Sequence, residues 1–343
     1  MFIYKHIVEK AMSQIKAAVT GGCGFLGSHV VDELLSHGVR VYCIDNLSNG
    51  KIENIKSHLN DPSFKFVQCD IRDTQNLLDV FEGVDWVMHL AALTDIVPSV
   101  ENPLEYHSVN VDGTVSVLEA CRKSGVKRLI YAASSSCYGI PEIYPTPETA
   151  KISPQYPYAL TKWIGEQYLF HWHKVYGISC VSLRIFNAYG PRVRCSSSYG
   201  AVFAVFLSQK AHGVPYTVVG DGKQKRDFVH ARDVARAFYL AAESEIDGEA
   251  INIGSGNPQT INYLVKLLGG EKVHIPKRPG EPEITYADIS KAKKILGWSP
   301  VIDFEDGVKE MLLRLDEWKN APLWTPESIA KATEKWFRYL SKK

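Results

Sequence analysis

Through the first half of the chain, brief apolar runs alternate with longer amphipathic stretches. Residues 15–20, 39–44, 65–68, 86–90 and 128–132 are short and apolar, and read as buried strands. Between them, residues 28–37, 74–81 and 109–123 carry apolar positions at helical spacing. This alternation predicts a parallel sheet with helices on both faces. Near Asn187 the pattern changes, and loops rich in Gly, Pro, Ser and Arg follow: YGPRVRCSSSYG, then VVGDGKQKRDF. A strand at 250–253 is expected to return to the first sheet. From Gly254 to about Arg314, short elements mix with the Pro-rich IPKRPGEPEI. The last thirty residues read as helix, with Thr325 as N-cap and Pro326 in the first helical position.

With 343 residues, the chain is long enough for two domains or one large one. A net charge of +1 shows no electrostatic footprint for nucleic acid or an anionic membrane surface. No apolar run is long enough to span a bilayer; the nearest, 201–207, is core-sized. Lys5, His6, Glu9 and Lys10 interrupt the first segment, so a signal peptide is not expected. Residues 1–11 read as an upstream extension, or Met12 as the true start. The cysteines are odd in number and scattered, with no CxxC pair. Reduced, buried thiols in a cytoplasmic protein are the expectation. His171 and His173 have no Cys or carboxylate beside them at metal-ligand spacing, so no metal is expected.

The segment AAVTGGCGFLGSHVVDELLSHG follows a strand and opens a helix. Gly21, Gly24 and Gly27 stand at GxxGxxG spacing. The first permits a tight turn, and the second lets backbone approach a pyrophosphate at the helix N-terminus. The third lets helix pack on strand. Asp45 ends the second strand about twenty residues on, where a carboxylate would bond ribose hydroxyls. It would repel a 2′-phosphate, and Asn46 rather than Arg follows, which favours NAD over NADP. The rival reading is a glycine-rich turn for another phosphate. Asp70-Ile71 falls near the expected adenine, although Asp70 reads equally as a plain loop carboxylate.

Tyr158 and Lys162 form a YxxxK pair on one face of an expected helix. A phenol titrates near 10. A neighbouring ammonium lowers that value, which makes Tyr158 a candidate general base. Most such pairs are structural. Here Ser134-Ser135-Ser136 follows the strand RLIYAA, and the carboxyl ends of parallel strands line the ligand crevice. A hydroxyl at that place could relay a proton; the bland reading is a polar loop.

TGGCGFLGSH, Asp45-Asn46, Asp70-Ile71, HLAAL, SSSCYG, YALTK, LRIFNAYGPR and GDGKQKRDFVHARDVA occur in this order. Over residues 15–315 the chain resembles the extended short-chain dehydrogenase/reductase family, and most of all its nucleotide-sugar 4-epimerase branch. The resemblance implies an α/β fold: a Rossmann-type doubly wound parallel sheet with a smaller, discontinuous α/β substrate-binding lobe. It implies an NAD-binding domain over 12–186 with a return segment at about 228–254. The lobe would be 187–227 with 255–320, and a C-terminal helix would fill 321–343. NAD would be held by Gly21, Gly24, Phe25, Leu26, Gly27, Asp45, Asn46, Asp70, Ile71, Leu90, Ala91 and Ala92, with Tyr158 and Lys162. Ser134, Tyr158 and Lys162 match the catalytic positions. Thr94, Ser135, Ser136, Asn187, Arg226, Arg278, Glu281 and Thr285 match substrate-binding positions. Asn187, Arg226 and Arg278 are implied at the diphosphate, and Glu281, more often Asp in relatives, at the nucleoside ribose. On its own, Arg226 reads as a surface residue or a partner for Asp227 or Asp233.

The same resemblance separates reactions. Sugar 4,6-dehydratases place an Asp-Glu pair after the catalytic Ser/Thr, and UDP-glucuronate decarboxylases a Glu at the second position. This chain has Ser135 and Ser136. Epimerisation remains, with a UDP-hexose or UDP-N-acetylhexosamine as the expected substrate. Thr285, at a position bordering the sugar, would admit an N-acetyl group or merely pack beside a strand. Pro98 stands where glucuronate epimerases tend to have arginine, although Arg192 and Arg194 could supply a cation. The rivals are a 4-ketoreductase or another epimerase on the same scaffold, and a non-catalytic NAD-binding sensor. A homodimer is implied through helices at 103–124 and 158–176. Val111, Val115, Leu118, Ile164, Tyr168 and Leu169 would pair there or face the monomer core.

Overall fold

A computed structural model describes residues 14–194 and 201–341. The question of Met1 or Met12, Cys195 and the SSSYG stretch lie outside them. Six strands come first: β1 (Lys16–Thr20), β2 (Arg40–Asp45), β3 (Phe64–Gln68), β4 (Trp86–His89), β5 (Arg128–Ser134) and β6 (Ser179–Ile185). Short strands follow: β7 (Asn187–Tyr189), β8 (Tyr216–Val219), β9 (Lys225–Arg226) and β10 (Phe228–His230). β11 (Glu249–Ile253) returns to the first sheet, and β12 (Gln259–Thr260) and β13 (Lys272–Ile275) complete the set.

The main sheet has seven parallel strands in the order β11-β6-β5-β4-β1-β2-β3. The order reverses between β1 and β4. At such a switch point two connections leave in opposite directions and open a crevice at the carboxyl ends of the strands. Both faces are covered, so the strands are apolar throughout; β1 and β4 are almost wholly buried. One core packs helices Phe25–Ser36 and Ala231–Glu243 on the first face, and a second packs Thr74–Phe81, Gly113–Ser124 and Pro157–Tyr176 on the other. The strand and helix expectations hold, with two shifts. β5 extends to Ser134, and the helix read at 109–123 begins with a wide turn at Ser108–Asp112.

A third core gathers Tyr189, Phe203, Phe206, Phe228, Leu264, Phe304 and Trp324. Its strands are short pairs: β7 with β10, β8 with β13, and β9 with β12. The final thirty residues are not one helix. A 3-10 turn, Leu315–Trp318, precedes the helix Pro326–Leu340. Thr325 caps that helix in a reciprocal box with Ser328, which satisfies two otherwise orphan amides.

Candidate active site

The loop after β1 is shaped by glycine. Gly21 has φ +70°, and a Cβ there would stand 2.7 Å from the Ala91 amide. A Cβ on Gly27 would fall 2.0 Å from the Gly21 carbonyl oxygen, so only hydrogen lets helix Phe25–Ser36 lie this close to the turn. No side chain caps that helix, and its first turn holds no acidic residue. Its amides therefore face the cleft, as an anion requires. Asp45 accepts from the Cys23 and Leu47 amides at 3.0 and 2.8 Å. Burial pushes its carboxyl up while these bonds work against that.

A cavity of about 1370 Å³ joins this loop to Asp45, Asn46, Asp70, Ile71, Leu90, Ala91, Ala92, Thr94, Ser134, Tyr158, Lys162 and Asn187. Phe25 and Leu26 line it as well. Such a trough, a bare helix N-terminus and a ribose-height carboxylate fit a dinucleotide. Asp70 is not a free carboxylate. It takes Arg72 at 2.7 Å and Asn46 at 3.0 Å, which holds it well below the usual carboxylate range.

The catalytic candidates converge. Ser134 ends β5, with its hydroxyl placed where it pulls the Tyr158 phenol down against burial. It also meets Ser136 Oγ at 2.8 Å. Tyr158 and Lys162 sit in the first turns of helix Pro157–Tyr176, one turn apart. Lys162 Nζ lies 4.2 Å from the centre of the Tyr131 ring. Burial lowers its pKa to about 7, partly offset by Glu166. The expected lowering of the phenol by this ammonium is not what the protein shows. Burial dominates and raises Tyr158, and the Ser134 hydrogen bond is the opposing pull. A pattern of residue types does not reveal how deep a side chain sits, and depth decides the sign here.

On the substrate side, Arg226 and Arg278 line a second cavity of about 550 Å³ with Glu281. Glu281 pairs with both, at 3.5 and 2.9 Å. Arg226 is therefore no partner of Asp227 or Asp233. Asp227 accepts from Ser255, Gly256 and Ala287, and Asp233 from Val301 and Ile302. Thr285 donates to Asn187 Oδ1 at 2.6 Å and accepts from the Asp227 amide at 2.9 Å. Its hydroxyl is committed to orienting Asn187. Ser135 opens the turn Ser135–Tyr138, and Ser136 hydrogen-bonds Tyr156.

Tyr156 escaped the sequence reading. Its ring stacks on Tyr158 at 6.4 Å and 7°, and meets Trp336 at 6.3 Å. The only signal in the sequence was its place two residues before Tyr158. Arg192 pairs with Asp32, and Arg194 with Asp95 and Asn49, so both guanidiniums are already partnered. His173 does find possible metal partners. The fold brings Cys180 and Asp247 to it, with ligating atoms within 4.8 Å of one another. The trio sits at the amino end of β6, away from the crevice. The Asp247 carboxylate is tied to the Cys180 amide at 2.7 Å. All six described cysteines are free and buried.

A family model, the NAD dependent epimerase/dehydratase family, matches residues 17–254. UDP-glucose 4-epimerase of Mycolicibacterium smegmatis is 35% identical over 303 residues, covering 86% of this chain and 96% of that protein. Among solved structures, UDP-N-acetylglucosamine 4-epimerase of Methanobrevibacter ruminantium, in complex with UDP-N-acetylmuramic acid, superposes with TM-score 0.82. Its identity is 35%, covering 88% of this chain and all of that one. UDP-glucuronic acid 4-epimerase of Bacillus cereus, in complex with UDP-glucuronic acid and NAD, gives TM-score 0.83 at 32% identity, covering 88% and 99%. With its seven-stranded parallel sheet, its glycine-lined trough and these relatives, the chain belongs to the NAD-dependent epimerase/dehydratase family.

Proposed function

We propose that the chain is a nucleotide-sugar 4-epimerase, acting on a UDP-hexose or UDP-N-acetylhexosamine. The observation that carries this reading is the convergence of Ser134, Tyr158 and Lys162 in one trough, with serines at 135 and 136. NAD, when bound, accepts a hydride from the sugar and returns it. Gly21, Gly24 and Gly27, the amides of the first helical turn and Asp45 would hold it. Tyr158 takes the proton of the C4 hydroxyl and later gives it back, and Ser134 holds the phenol in line. Lys162, poised near neutrality, biases Tyr158 toward phenolate when it is charged. Ser135 and Ser136 carry no carboxylate that could remove a proton at C5. The 4-keto sugar is therefore protected from elimination, and rotation before hydride return inverts C4.

Arg226, Arg278 and Asn187 would take the diphosphate, since guanidinium forks match phosphate oxygens. The small Thr285 beside Asn187 supports admission of an N-acetyl group. The prior pairing of Arg192 and Arg194 weighs against a uronate. Free thiols support a reducing, cytoplasmic setting. Among the described residues, no helix is long and apolar enough to cross a membrane.

The test is incubation with NAD and, separately, UDP-glucose, UDP-galactose, UDP-GlcNAc, UDP-GalNAc and UDP-glucuronate, followed by NMR of the anomeric protons. Interconversion of a C4 pair without net NADH is the expected result. A 4-keto-6-deoxy sugar or a pentose would overturn the argument from Ser135 and Ser136.

A further inference from the structure

The C-terminal helix Pro326–Leu340 is held firmly by its own side. Gln209 Nε2 donates to the Trp324 carbonyl at 2.7 Å, and Ser208 Oγ to the Pro322 carbonyl at 2.8 Å. Ile329 is buried in the third core.

From this anchored helix Trp336 turns inward behind the loop that carries Arg278, and is 1% exposed. Its Nε1 donates to the Pro279 carbonyl at 2.7 Å. The Arg278 guanidinium lies over its ring at 5.6 Å. Its other neighbour is Tyr156, which stacks on Tyr158 and hydrogen-bonds Ser136. One indole thus touches the segment that carries Arg278 and Glu281, and the segment that leads into the catalytic helix.

The Arg278 segment needs such an anchor. Residues 276–282 belong to no helix or strand; the backbone is tied back to β9 only at Glu283, whose carbonyl accepts from the Lys225 amide at 2.8 Å. A guanidinium on a loop of that kind loses rotamer freedom when it clamps a phosphate. A ring against its face and a hydrogen bond to the next carbonyl meet that ordering cost before the ligand arrives.

We propose that Trp336 is a positioning residue for nucleotide-sugar binding, holding Arg278 in the geometry that receives the diphosphate. The inference rests on the nucleotide-sugar reading of Arg226 and Arg278. It assigns to the C-terminal helix a share in ground-state affinity, not in chemistry.

The experiment is calorimetric titration of UDP into the NAD-loaded full chain, for wild type, Trp336→Ala and Trp336→Phe, with NAD affinity measured in parallel. Kinetics on the sugar pair that turns over complete it. Trp336→Ala is expected to weaken UDP about tenfold, with KM rising to match, kcat within about twofold and NAD affinity unchanged. Trp336→Phe keeps the ring and loses only the N–H, so it should recover most of the affinity. Lys331→Ala, on the exposed side of the same helix, should behave as wild type. Wild-type affinity for UDP in Trp336→Ala would overturn the inference and leave the nucleotide-sugar reading standing. A fall in kcat or NAD affinity instead of UDP affinity would also overturn it, since it would mark general loss of structure. Failure of wild type to bind UDP at all would overturn the inference together with the reading of the two arginines.

Discussion

Lys162 is where residue-scale electrostatics has the clearest consequence. Its pKa in the folded protein is about 7, against an ordinary value of 10.5. Between those values the unfolded chain holds a proton that the folded chain has released. By linkage, the stability attached to this group rises with pH across that window. Lys162→Met removes the titration. The difference in unfolding free energy, wild type minus variant, should therefore increase from pH 7 to pH 9 in denaturant titrations. A flat difference would mean that the ammonium is not desolvated as described. At the same scale, Tyr158→Phe removes the proton acceptor and donor while leaving the ring in place. Turnover should fall by about 10²–10⁴-fold, with NAD still bound. These two positions were legible from YALTK and the serine run. The sign of the phenol shift was not, because it follows from burial. The ion pairs of Glu281 were unreadable for a related reason. Its two arginine partners come from β9 and from its own loop, and only the folded chain puts the three together.

At the scale of elements, two contacts hold the site. The first is the crossing of helix Phe25–Ser36 over the β1 turn. Gly27→Ala would drive a methyl into the Gly21 carbonyl. Overpacking of this kind costs about 1–3 kcal/mol, and relief would move the turn that receives the pyrophosphate. Thermal unfolding and NAD titration should show both losses together; loss of stability with full NAD affinity would refute the geometric argument. The second is a buried network beneath the catalytic helix. Glu166 accepts from Arg184 at 2.6 and 3.0 Å and from Ser182 at 2.7 Å. Arg184 also reaches Tyr138, whose hydroxyl donates to Asn252. Removing one member leaves the other charge buried, at a cost of about 3–5 kcal/mol. Arg184→Met should lose that much in chemical denaturation, and Glu166→Leu with Arg184→Met should regain part of it. The sequence carried no sign of this pair, since Arg184 sits in LRIFNAYGPR with nothing to mark a partner and Glu166, 18 positions away, lies in no motif. By contrast, six of the seven main-sheet strands were readable from their short apolar runs; β6 was not, because its SCVSLRI run is broken by two serines and an arginine.

For the whole molecule, the open question of the helices at 103–124 and 158–176 resolves into two faces. Val111, Leu118 and Leu169 are buried within the monomer. Val115 and Ile164 are half-buried, and Tyr168 is exposed. Leu104, Leu160, Val175 and Tyr176 are exposed with it. Exposed apolar side chains gathered on adjacent helices mark association surfaces. The homodimer we propose would use this face, by a two-fold arrangement. Sedimentation should give a dimer for the wild type and a monomer for Leu160→Glu with Tyr168→Glu; an unchanged dimer would place the interface elsewhere. The lobe around the third core was the least legible part. Its strands are two to four residues long, too brief for any periodicity to register.

The pairing of β11 with β6 also has a temporal meaning. Six of the seven sheet strands are complete by Ile185, but the partner that covers the β6 edge begins only at Glu249. A ribosome adding 5–20 residues per second needs about 3–13 s for the roughly sixty residues between them. Through that interval the nascent chain presents SCVSLRI as an uncapped strand, the kind of edge that recruits strands from neighbouring chains. Chains released before residue 249 should accumulate in the insoluble fraction, and those released past Ile329, with the third core complete as well, should not. The last strand of the main sheet to emerge thus acts as the molecule's own guard against aggregation, besides closing that sheet.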